Sequence, residues 1–186
     1  MNRYKNACDG LKMIFYSEII AIVCSILLFI PVLGTIVGVY GMLACQIVGA
    51  IGLFFLGRDI EGCKLAFILT IVGIVINVAG NFSGLSILFG IIGCVINFLI
   101  VFYICKPLSA ALTSLGALQI ADKGSLVWKI NLVCYAILIV VKLVSIIPFI
   151  NILAALVGGL TGLVQLVANI IYFIFLFQSY KFFQTY

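Results

Sequence analysis

The sequence predicts an all-α, polytopic integral membrane protein with six transmembrane helices arranged as three tandem helical hairpins. Three observations carry this. Hydrophobic residues make up 66% of the 186-residue chain and charged residues only 8%. A soluble domain carries about a quarter charged residues, because its surface must meet water. Nine of the ten Lys and Arg residues sit at the ends of, or between, three long apolar stretches, Met13–Gly57, Leu65–Cys105 and Leu126–Phe177, and Lys142 alone lies well inside one. Each stretch is about twice the roughly 20 residues a helix needs to cross the hydrocarbon, and each is broken near its middle.

The breaks define the elements in order. The first stretch is interrupted by Pro31, Gly34 and Thr35, the second by Gly80-Asn81-Phe82-Ser83-Gly84, and the third by Pro148-Phe149-Ile150-Asn151. Irregular backbone cannot stand unpaired in lipid, so the breaks belong at an interface. Helices are expected at 13–33, 36–57, 65–81, 85–105, 126–147 and 151–178. The whole chain, 1–186, reads as one membrane domain, with hairpins at 12–58, 64–106 and 126–181 joined by a loop at 107–125. Arg3, Lys5 and Lys12 before an apolar run imitate a signal peptide. That run is too long and ends in Ile30-Pro31-Val32-Leu33-Gly34, not at a small-x-small cleavage site, so it is expected to stay as the first helix.

The hairpins share landmarks. Nineteen positions separate Lys12 from Pro31 (31 − 12), Lys64 from Ser83 (83 − 64) and Lys129 from Pro148 (148 − 129). Each hairpin closes with aromatic residues and a cation, at Phe54–Arg58, Phe102–Lys106 and Phe175–Lys181. Such self-similarity is the mark of a repeated unit. Arg3, Lys5, Lys12, Arg58, Lys64, Lys106, Lys123, Lys129 and Lys181 fall on one side, and the three turns carry no charge. The positive-inside rule then puts both termini in the cytoplasm of a protein of the cell membrane.

Small residues recur at helical spacing. Helix 2 carries Gly34, Gly38, Gly41, Cys45, Gly49 and Gly52; helix 3 Ala66, Thr70, Gly73, Asn77, Gly80 and Gly84; helix 4 Ser86, Gly90, Gly93 and Asn97; helix 6 Asn151, Ala155, Gly158, Gly162, Gln165, Asn169 and Tyr172. In lipid such stripes let helix backbones approach, and that is their expected role; the sharper alternative is that they line a polar path. The amides Asn77, Asn97, Gln165 and Asn169 belong to these stripes. Glu18 and Lys142 are the ionisable residues inside spans and thus candidate functional groups; Lys142 can snorkel, and Glu18 either reaches the cytoplasmic interface near Lys12 or faces the interior as a protonatable or cation-interacting group. In loop 107–125, Leu108, Leu112, Leu115 and Leu118 follow helical spacing after Pro107. The loop is either an amphipathic segment on the membrane or a continuation of helix 4.

Several classes drop out. Without histidine there is no His-based acid–base pair or His metal site, and no phosphate-binding glycine loop follows a strand, so neither catalysis nor a cofactor is expected. Asp59 and Glu61 read as a solvated turn. The net charge of +5 is spread singly over flanks, which fits a membrane surface and not nucleic acid. The seven cysteines form no Cys-x-x-Cys pair and are expected to be reduced thiols, with palmitoylation of Cys8 or Cys105 as a minor alternative. In length and span count the chain is similar to the substrate-binding membrane subunits of bacterial vitamin importers, without a shared motif. Its proline-bearing hairpins are similar in plan to mitochondrial carriers. The charged signature that follows carrier prolines is absent, since Val32-Leu33-Gly34 follows Pro31 and Phe149-Ile150-Asn151 follows Pro148, and the chain is much shorter, so that assignment is rejected. The expected function is transport or permeation of a small solute, alone or as a transporter's membrane subunit. The alternative is a non-catalytic scaffold, immunity or assembly protein whose packing faces bind other membrane proteins or a second copy.

Overall fold

The computed structural model describes residues 4–27, 33–82, 86–145 and 151–185; the side chains of residues 25, 26, 33–39, 77–82, 86, 87 and 151–153 lie outside the described set. Among the described residues there are six α-helices, α1 (Lys5–Leu27), α2 (Leu33–Asp59), α3 (Lys64–Phe82), α4 (Ser86–Ser114), α5 (Leu118–Val144) and α6 (Asn151–Thr185), one 3-10 turn at Glu61–Cys63, and no strand. Four of the helices contain a described segment long and apolar enough to cross a membrane: Tyr40–Asp59, Leu88–Ser114, Leu118–Val144 and Ala154–Thr185. Pro31, Ser83 and Pro148, the turn landmarks of the sequence, lie outside the described residues.

Each helix packs against its neighbours in the chain, and α1 closes the circle against α6. The result is a ring of six helices. Its outer wall carries large apolar side chains, such as Tyr40, Val75, Val140, Leu160 and Leu163, each more than half exposed. In water so extensive an apolar surface would aggregate; in lipid it is the solvated face.

The helices run past the apolar stretches. α1 begins at Lys5 rather than 13, α5 at Leu118 rather than 126, and α6 reaches Thr185 rather than 178. Loop 107–125 is therefore mostly helical: α4 continues through Pro107, which stands inside it, to Ser114. Leu108 and Leu112 are fully buried and Leu115 packs beside them, whereas Leu118 is 58% exposed. The segment packs on the protein's own core, and that burial holds the helix together across a residue that cannot donate to it. Gly62 makes room for Pro107, whose Cγ would stand 2.6 Å from a Cβ there. α4 stops at Gly116, whose φ of +82° only glycine adopts freely. The Gly116 N–H donates to Thr113 O at 3.1 Å and the Ala117 N–H to Leu112 O at 2.9 Å, the paired bonds of a Schellman stop.

The helix extensions build a dense apolar plug at the end of the ring where the basic residues cluster. Leu11, Leu56, Cys63, Leu108, Leu112, Val127, Phe175, Leu176 and Phe183 are all fully buried in it. Outside it, the cations lie over rings: Lys106 over Phe102 at 5.0 Å, Lys129 over Trp128 at 5.8 Å and Lys181 over Phe177 at 4.7 Å. The reading of Asp59 as part of a solvated turn is corrected here. Its half-buried carboxylate accepts from Asn6 Nδ2 at 2.9 Å and from the Ala7 N–H at 2.8 Å. It thus caps the first turn of α1, where free N–H groups and the helix dipole favour an anion. Glu61 does face solvent, with Lys64 Nζ 3.5 Å away.

Glycines act where two helices nearly touch. A Cβ on Gly52 would stand 2.8 Å from Gly10 O and 3.1 Å from Ile14 N, and one on Gly41 2.7 Å from Cys24 Sγ. Gly49 faces Ser17, Gly73 faces Ile96, Gly90 faces Lys142 and Gly158 faces Val141. Gly93 and Gly162 do not fit the expected packing role: nothing lies within 4 Å of a Cβ at either. On α6 the buried line is Ala154, Thr161, Ala168 and Phe175, a seven-residue repeat that leaves Gly162 and Asn169 one position off the seam. The side chain position of Gly38 lies outside the described residues. Gly10 and Gly124 are contacts beyond the stripes; a Cβ on Gly124 would overlap Ser109 Oγ and the Phe175 ring.

These contacts predict a graded series. Asp59→Ala should lower unfolding stability in detergent by about 1–3 kcal/mol, since it strips two charge-assisted bonds from a helix start, while Glu61→Ala should change it by less than about 0.5 kcal/mol. Gly52→Val should cost about 2 kcal/mol or more through overpacking against backbone, and Gly162→Ala should be neutral or mildly stabilising. Thermal melts followed by circular dichroism would rank the four; equal melts for Asp59→Ala and Glu61→Ala would refute the cap.

Candidate functional site: a cavity inside the helix ring

Beyond the plug the helices do not fill the axis. A partly open cavity of about 400 Å³ lies between them, and all six helices contribute to its wall. Ile14, Leu53 and Ile104 belong to both the cavity lining and the buried core, and so form its floor.

The α1–α2 seam explains how Glu18 enters the cavity. Gly10, Ile14, Ser17 and Cys24 face α2 through Gly52, Gly49 and Gly41. Ser17 is buried there and donates its hydroxyl to Ile14 O at 2.7 Å. Glu18 follows it by about 100° of helix rotation and so turns off the seam into the interior. The same logic applies on α2, where Cys45 is buried in the seam near Cys24 and Gln46 turns to the cavity. Thr70 from α3, Asn97 from α4, Tyr135 from α5, and Asn169 and Tyr172 from α6 complete the polar lining. Thr70 satisfies its own hydroxyl by donating to Ala66 O at 2.8 Å.

Glu18 is the one charged residue of the described lining. Protein surrounds it, yet its side chain is accessible, because the surface it presents is the cavity wall. Its carboxylate has neither an ion pair nor a hydrogen bond among the described residues; Cys45, Tyr135 and Tyr172 are the titratable groups close enough to feel its charge. Lys142 is not its partner. The lysine extends along α4, with Nζ 3.0 Å from where a Gly90 Cβ would stand.

The sequence-derived amides divide. Asn97 and Asn169 line the cavity. Gln165 instead ties α6 to α5: its Nε2 donates to Asn131 Oδ1 at 2.6 Å, with a longer 3.4 Å contact to Asn169 Oδ1. Asn131 is 1% exposed and donates in turn to Val127 O at 2.9 Å. Gln165 Oε1 is buried with no partner. The Asn77 side chain lies outside the described residues. Gln46, Ser17, Tyr135 and Asn131 are participants that the small-residue stripes do not contain. Their signal is weak, a polar residue or tyrosine in mid-span, and only the register between helices gives it meaning.

No group of three or more His, Cys, Asp or Glu side chains that could hold a metal occurs among the described residues. All seven cysteines are free, and Cys105, a candidate for palmitoylation, is fully buried. Comparison of the chain with protein-family models, with curated proteins and with solved structures yields no match.

Thiol chemistry at the plug is testable. Burial pushes the Cys63 thiol up to about 12, whereas Cys8 is half-buried at the bundle edge, its thiol raised by burial and by Asp9 against a lowering by Lys12. Protonation is favoured in the fold, so Cys63 contributes full stability below its unfolded value and loses it only as pH rises toward 12. At pH 8, N-ethylmaleimide should modify Cys8 first and leave Cys63 intact until the chain unfolds, as peptide mass spectrometry would report.

Proposed function

We propose that the chain is a six-span membrane protein of three repeated hairpins, both termini cytoplasmic, whose cavity binds a small solute for transport or permeation without catalysis. The observation that carries this reading is the cavity itself: all six helices line it, polar groups stand in its wall, and among them is a carboxylate with no protein counter-ion among the described residues. Dry helix packing would bury these groups against one another, as it does Gln165 and Asn131.

The register of the lining supports the repeat. Glu18, Thr70 and Tyr135 each stand six positions after the cation that opens their hairpin (18 − 12, 70 − 64, 135 − 129), and all three face the cavity. Ala21 and Gly73 both stand nine positions on, and Ile22 and Ile74 ten, again on the cavity wall. Equivalent positions of a repeated unit meet a common axis in this way. The plug, with cations outside it, supports a cytoplasmic basic end.

A second reading has one observation in its favour. Ala155, Gly159 and Gly162 form an exposed small-residue face on α6, with nothing within 4 Å of a Cβ at either glycine. A scaffold would seat a partner helix there.

In a background without native thiols, Asn97→Cys and Asn169→Cys should react with a membrane-impermeant thiol reagent, while Val140→Cys, on the lipid face, should not. Asn169 is a better probe than Gln165, whose amide is engaged with Asn131. Full protection of both cavity positions would overturn solute binding and favour the scaffold.

A further inference from the structure

We propose that the cavity takes a small organic cation bearing an ammonium group, with the Glu18 carboxylate as its counter-ion. This deepens the solute-binding reading and rests on it.

The charge balance of the cavity carries the proposal. A carboxylate held within a membrane bundle is costly unless something positive or strongly hydrogen-bonding meets it. The described lining supplies no lysine or arginine, and Lys142, the basic residue within a span, is laid along α4 against Gly90. An anion would be repelled from this wall, and beside a neutral solute the carboxylate would shed its charge only by taking up a proton. A cation meets the ionised carboxylate directly.

The rest of the lining selects among cations. The rings of Tyr135, Tyr172 and Phe173 line the same chamber, and aromatic faces attract ammonium groups when both are removed from water. Asn97, Asn169 and Gln46 offer amide oxygens to N–H or O–H donors on the solute. A cavity of about 400 Å³ is far larger than a bare metal ion, and the described residues contain no cluster of three metal ligands. Organic bulk fills the space; one positive charge matches the one negative charge.

The test uses the full chain in lipid nanodiscs and labelled choline as the probe, with tetraethylammonium and 3,3-dimethyl-1-butanol, the neutral isostere of choline, as competitors. Saturable choline binding is expected, displaced by tetraethylammonium and not by the alcohol. Glu18→Gln should weaken it by about tenfold or more, and Glu18→Asp should retain most of it. Absence of saturable binding, or equal displacement by the alcohol, overturns the cation assignment on the wild-type chain alone, whatever the variants do. Thiol accessibility at Asn97→Cys separates the two levels. A reactive thiol without choline binding removes the cation and leaves a solute cavity; an unreactive thiol removes both.

Discussion

Backbone meets backbone where α1 crosses α2. Gly10 and Gly52 face each other so closely that a methyl group on either would strike a carbonyl oxygen. Two consequences follow from that one approach. The two helices run together along the seam of Ile14, Ser17 and Cys24, which fixes the rotation of α1 about its own axis and therefore points Glu18 inward. The crossing also brings the end of α2 beside the start of α1, where Asp59 meets the free N–H groups of the first turn. In lipid no hydrophobic effect draws helices together, so van der Waals contact and such caps must supply the specificity. Widening the seam by one side chain would disturb both the cap and the carboxylate.

The ring is solid at one end and hollow in the middle for a related reason. Near the basic end five helices contribute a fully buried apolar side chain, Leu11, Leu56, Leu108, Val127 and Phe175, α3 adds the smaller Ala66, and these fill the axis. About one to three turns further along, the inward positions are Glu18, Gln46, Thr70, Asn97 and Tyr135. Polar side chains of this kind do not interdigitate as leucines do, and their desolvation opposes collapse. The cavity is the space they hold open. Where two amides do meet in good geometry, as Gln165 and Asn131 do, the helices close and no cavity forms.

The sequence exposes whatever depends on the solvent of the protein. Charge-free stretches of bilayer length give the helices, and steps of three and four give Gly41, Gly49, Gly52, Gly73, Gly90 and Gly158 as contacts. Glu18 stands out because an acid within a span is rare. Hydropathy reports where lipid begins and says nothing of where a helix ends, so the polar extensions of α1, α5 and α6 are invisible to it, whereas the leucine spacing after Pro107 does offer the continuation of α4 as one of two readings. Gly10 and Gly124 escape because they lie in those extensions. Asp59 is misread as solvated because its partner is 52 residues away in the chain. Gly162 and Asn169 are placed one position off the true seam of α6, since a shift of 100° still leaves steps of three and four.

The division of labour between Glu18 and Lys142 follows from the same geometry. An ion pair in a low-dielectric bundle is strong only at contact distance, and it would neutralise the cavity. Here the lysine has a separate resting place. The open flank at Gly90 admits its aliphatic stem, and a larger residue there would push the ammonium elsewhere. Gly90 therefore does more than let α4 and α5 approach. By seating Lys142 against α4 it keeps the one basic side chain within a span away from Glu18, and on the proposed reading that leaves the carboxylate free to meet a cationic solute among the aromatic rings and amides.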